Sequence, residues 1–200
     1  KLNPQAISFL LSSQINCLST PQFLYFIPDE FYGFTSLQVQ YITTLQISSL
    51  QILQIQGFNP GAMSGFTTIQ FQQITLSTKQ LLSLKSSQIS GLTSIQVPII
   101  STYEIKNLDI TQISAFSSNA ISNFTTAQVV HTVLLTSQIK VLSSAQISGL
   151  TSIQVPLINS TFITILTREQ IAAFNPSIIP VLTISEISDI SAIQFSAFTT

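Results

Sequence analysis

Charge is what this sequence has least of. Six Lys or Arg and seven Asp or Glu among 200 residues make about 6%, against roughly 25% in a typical soluble domain. The charges are scattered and the formal net charge is -1. There is no basic patch to neutralise phosphates and no acidic tail to hold cations, so nucleic acid is not an expected partner. Tryptophan is absent, and histidine and cysteine occur once each. Cys17 therefore cannot form an internal disulfide and is expected to be a small buried or half-buried apolar residue. His131 leaves a Ser-His-Asp triad or a histidine zinc site with a single candidate and no cysteine pair beside it, so it is expected to be a surface or packing residue. Long apolar runs are missing too. Mean hydropathy is +0.49 and Tyr32 to Thr78 carries no charge, yet Ser, Thr or Gln interrupts the apolar positions every two or three residues. A membrane-spanning helix needs about 20 mostly apolar residues in succession, so none is expected. The chain opens on Lys1 with no recognisable signal peptide.

What the chain has instead is repetition. The phrase Gln88-Ile-Ser-Gly-Leu-Thr-Ser-Ile-Gln-Val-Pro98 returns 58 residues later as Gln146 to Pro156, and Gly33-Phe-Thr-Ser-Leu-Gln-Val39 is the same phrase 58 residues earlier. Gly57-Phe-Asn-Pro60, Ala115-Phe-Ser-Ser118 and Ala173-Phe-Asn-Pro176 keep the same interval. Residues 1–200 thus read as one continuous array with long blocks at 28–85, 86–143 and 144–200, and both termini fall inside the repeat. Within the blocks lies an octad, numbered here so that position 2 is usually Gln. Between Gln5 and Thr200 there are 24 octads; position 3 is apolar in all, position 6 in 23 (Thr132 is the exception), and position 2 is Gln or Glu in 19. Two extra residues at Thr75-Leu76, and two more at Val133-Leu134, make the long period seven octads plus two.

Position 7 is Ser, Thr, Asn or Asp in 19 octads, three residues before the next Gln. That is the spacing of a capping box: the hydroxyl or amide accepts from the N3 amide while the N3 Gln reaches back to the cap amide. Positions 6 and 3 then flank the cap as a hydrophobic staple, as Leu166 and Ile171 do around Thr167. Pro4, Pro60 and Pro176 each follow an Asn at position 7, which places proline at N1, where its missing amide costs nothing. Five of six glycines (Gly33, Gly57, Gly65, Gly91, Gly149) stand at position 5, with Asn107, Asn123 and Asp189 at the same place, as a left-handed helix stop would require. The octad predicts an all-α solenoid of short capped turns, each too short to persist alone. The alternative is a β-solenoid. Ile, Val, Thr and Phe favour strands, Pro98, Pro156 and Pro180 fall at position 4 where a helical turn would lose a hydrogen bond, and a stacked Gln ladder would also explain position 2.

Phe124-Thr-Thr-Ala-Gln-Val129 and Leu142-Ser-Ser-Ala-Gln-Ile147 resemble the unit of long bacterial surface or secreted proteins built of Leu-Thr-Thr-x-Gln-Ile-x-x octads. The resemblance covers essentially the whole chain, although this sequence is richer in Phe and poorer in Ala. It implies an extracellular or cell-surface location and an elongated, adhesive or scaffolding role, and it carries over no catalytic residue.

No phosphate loop, dinucleotide fingerprint or EF-hand spacing occurs. The carboxylates Asp29, Glu30, Glu104, Asp109, Glu169, Glu186 and Asp189 mostly fall in Gln-like or cap positions, where they serve helix starts, and Asp29-Glu30 reads as a solvated turn. The sequons at Asn123 and Asn159 are short enough to arise by chance in a Ser/Thr-rich chain. No catalytic, cofactor-binding or metal residue is assigned and an enzyme is not expected. The expected function is a structural or adhesive repeat that self-associates into a rod, sheath or filament; the alternative is a module that binds a glycan, ice or another solid surface through a Thr/Ser/Gln face.

Overall fold

The computed structural model describes residues 3–130, 132–158 and 161–199. Among these there is no β-strand; the chain is a succession of helices of four to nine residues and short 3₁₀ turns, one to most octads. It divides into two compact units, Lys1–Ile100 and Ser101–Thr200. The helical alternative is therefore the one adopted, and the Gln ladder of the β alternative is replaced by a different arrangement.

Most helices start as the spacing demands, Thr78–Leu82 and Phe162–Ile165 being exceptions in which no side-chain capping bond forms. The Thr35 hydroxyl accepts from the Gln38 amide and the Gln38 Oε1 accepts from the Thr35 amide at 2.9 Å. The same pair of bonds forms at Thr43, Thr67, Ser101, Thr125, Ser143 and Thr167. Where position 7 is Leu11, Gln51, Lys85 or Leu135 the cap side chain contributes nothing, but the glutamine half survives at 2.8–3.0 Å. Asn3, Asn59 and Asn175 cap helices whose first residue is proline.

The other end of each octad differs from expectation. No described residue has positive φ, so the position-5 glycines are not left-handed stops. The turn ends by tightening instead: the position-6 amide donates to the position-3 carbonyl, as in Leu10 to Ile7 at 3.0 Å and Leu92 to Ile89 at 3.0 Å, a 3₁₀-type closure that needs no special residue. The glycines serve close approach. A methyl built on Gly33 would overlap the Pro4 carbonyl, on Gly57 that of Pro28, on Gly91 that of Pro60, and on Gly149 that of Ser118. Proline at position 4 is accommodated the same way: Val97–Ile99 and Val155–Leu157 are 3₁₀ turns with Pro at their second position, where no amide is required.

Octads pack on the octad three further along. In the first unit Pro4–Ile7 packs on Pro28–Phe31, Ser36–Val39 on Pro60–Gly65, and Thr44–Ser49 on Thr68–Leu76; in the second, Ser118–Ser122 packs on Ser144–Ser148 and Arg168–Ala172 on Ala192–Phe195. Glutamine links octads four apart. The Nε2 of Gln38 donates to the carbonyls of Ile7 and Leu10 at 2.9 and 2.8 Å, the position-3 and position-6 carbonyls that end an earlier octad. Gln70, Gln96, Gln146 and Gln194 do likewise. One buried amide thus satisfies an orphan N–H at the start of its own helix and two carbonyls at the end of another. Position 2 is Ala62 in one octad, and there Asn59 takes over: its Oδ1 accepts from the Ala62 amide at 2.8 Å and its Nδ2 donates to Tyr32 and Phe34 at 2.7 Å.

Positions 3 and 6 fill the interior. In the first unit Phe31 is fully buried and meets Phe23 at 5.5 Å and Phe58 at 4.9 Å, both edge-to-face, with Phe58 on Phe66 at 5.1 Å, an arrangement that adds about 0.5–1.5 kcal/mol per pair beyond area burial. The rule fails late in the chain: Ile179, Ile187 and Phe195 are 38%, 44% and 52% exposed, and Ile178 at position 2 is buried in place of Ile179. The first extra pair, Thr75-Leu76, is absorbed by lengthening one helix to nine residues, Thr68–Leu76. The second puts Leu134, 3% exposed, into the interior place that Thr132 does not fill.

Candidate functional site

Most acidic side chains sit at helix starts. Glu30, Glu104 and Glu186 occupy the position-2 slot and are buried, each accepting a cap amide at 2.8–2.9 Å. Glu104 shows the cost of the exchange: a carboxylate has no N–H, and its Oε1 is buried without a hydrogen bond. Asp109 is a cap, accepting from the Thr111 hydroxyl at 2.6 Å and the Gln112 amide at 2.8 Å. These bonds, led by the Thr111 hydroxyl, hold its carboxyl below the usual aspartate range. Glu169 is lowered by its own backbone amide, then by the Thr167 hydroxyl, with Arg168 adding a smaller contribution. Among the described residues no three His, Cys, Asp or Glu side chains gather in metal-binding reach.

The remaining candidates lie apart from one another. Cys17, expected to be at least half-buried, is exposed, because it stands at position 5 as the C-cap of Ser12–Asn16 with its side chain outside the packed stripe. Asn123 is exposed at the end of Ser118–Ser122, its Nδ2 donating to the Asn119 carbonyl at 2.8 Å. His131 and Asn159 lie outside the described residues.

One concavity was not singled out by any motif. It is a groove of about 530 Å³ in the first unit, walled by Pro28, Leu53 and Pro60 and carrying Asp29, Tyr32, Gln56 and Lys85. Gly57 contributes only backbone to its lining, and a side chain there would collide with the Pro28 carbonyl. Tyr32 is 63% exposed and also lines an adjoining hollow of about 380 Å³ with Asn3, Gln5 and Ser8. One signal was legible beforehand, since Tyr32 is the one aromatic residue at position 4 in all 24 octads. A smaller, wholly apolar hollow of about 200 Å³ lies among Ile179, Ile187, Phe195 and their neighbours in the second unit.

Short capped helices in a repeating pack, held by buried glutamine amides, define an all-α repeat protein. No protein family, curated protein or solved structure matches this chain. No described helix is long and apolar enough to cross a membrane.

Proposed function

We propose that the octads form a continuous solenoid acting as a structural or adhesive element at a cell surface or in an extracellular filament, by self-association and without catalysis. One observation carries this reading. Position 1 points outward and is repeatedly aliphatic: Leu45, Ile69 and Ile95 are 64%, 64% and 68% exposed, the first two on helices that pack on each other and Ile95 in the turn leading into Val97–Ile99, which packs on the second of those helices. Exposed apolar side chains in register favour contact with another apolar surface. The segment from Tyr32 to Thr78 holds no charge, so two copies meet there with little Coulomb repulsion. The extracellular location is supported by the octad resemblance alone.

Light scattering over a concentration series tests the association. The wild-type chain is expected to gain mass with concentration, and a variant with Leu45→Ser, Ile69→Ser and Ile95→Ser to gain less. A wild-type chain that stays monomeric at high concentration ends the proposal. The second reading, a module that binds a glycan or a solid surface, is favoured by a separate observation, the groove beside Tyr32.

A further inference from the structure

We propose that the groove at Tyr32 binds a neutral oligosaccharide, an inference that rests on the binding-module reading and is independent of self-association. The argument is one of matching chemistry. The groove offers flat apolar surfaces, the Tyr32 ring and the rings of Pro28 and Pro60, beside polar groups of both kinds. Sugar rings present the same combination: C–H faces that pack on flat side chains, edged by hydroxyls that both donate and accept. Gln56 can contribute to the second task. Its Nε2 donates to the Ser83 carbonyl at 2.6 Å, and its amide oxygen, like the Asp29 carboxylate, is an acceptor for a ligand hydroxyl.

Other ligand classes fit less well. Asp29 and Lys85 contribute one charge of each sign, so the groove holds no surplus positive charge for a phosphate or polyanion. A peptide docking by strand addition has no edge to pair with, since the described residues contain no strand and the groove's backbone is engaged in helical turns. The adjoining hollow shares Pro4 and Tyr32 with the groove, a combined length suited to a ligand longer than one sugar.

Isothermal titration of the full chain with neutral glucan hexasaccharides of β-1,4, β-1,3 and α-1,4 linkage tests this, at concentrations where light scattering shows no association. Saturable binding of at least one probe is expected. Tyr32→Ala should weaken it about tenfold, or 1.4 kcal/mol, and Asp29→Asn severalfold, while Tyr103→Ala, equally exposed but in the second unit, leaves it unchanged. The Leu45, Ile69 and Ile95 serine variant should keep full binding, which separates failure of this inference from failure of the self-association reading. No heat with any probe at millimolar concentration, undiminished binding by a folded Tyr32→Ala chain, or saturable binding of a neutral decapeptide in place of every sugar would overturn it.

Discussion

At the scale of single residues, one side chain carries an unusual share of the fold. The position-2 glutamine uses its oxygen on a local amide and both protons on carbonyls 28 to 33 residues earlier. Glutamate can do only the first of these. Glu104→Gln should therefore raise stability by about 1–3 kcal/mol, the usual penalty of a buried unsatisfied polar group, and Gln146→Glu should lower it by at least as much; urea unfolding of both variants checks the pair. Asp109 gives a pH test. Its carboxyl is held below the ordinary value, so its contribution is whole above about pH 4 and is lost as the pH falls through the depressed value. Asp109→Asn, still a good cap, should flatten the fall in melting temperature between pH 5 and 3 without lowering it much at pH 7.

At the scale of the element, the two ends of the octad were unequally legible. The start was written locally: cap, proline and glutamine all act within four residues, and sequence spacing resolves them. The end was not, because glycine serves two physical purposes and spacing cannot separate them. At Gly91 the reason is the Pro60 carbonyl, 31 residues away, a distance no local pattern encodes. The distinction can be measured. A left-handed position would accept Asn better than Ala, whereas crowding makes the larger residue worse, so Gly91→Asn should destabilise more than Gly91→Ala. The interior is judged by Phe31→Ala, expected to cost about 3–5 kcal/mol given its full burial among four rings. The groove stayed hidden for the same reason as the glycine role: Asp29 and Tyr32 meet Gln56 and Lys85 only when octads three apart are brought together.

At the scale of the molecule, the sequence periods of eight and 58 were plain, but the packing of helices three octads apart was not, since it depends on which helices meet within each unit and not on which residues recur. The glutamine ties, which join octads four apart, register the extra pairs. Glutamine partners lie 28 and 31 residues back where no extra pair intervenes, as for Gln38 and Gln194, and 30 and 33 back where one does, as for Gln88 and Gln146. The bonds keep their partners while the chain between them stretches. Removing Thr35 to Phe58, three whole octads, should accordingly leave a chain that unfolds cooperatively with a helical circular dichroism spectrum. Removing Thr35 to Gln54, two and a half octads, should not.

That fixed separation also bears on how quickly such a chain can find its fold. Every glutamine tie within a unit closes a loop of some thirty residues, however many octads precede it, so the entropy lost in forming each contact does not grow as octads are added. Mean contact separation as a fraction of length falls with every added octad, the regime in which folding rates stay high despite size.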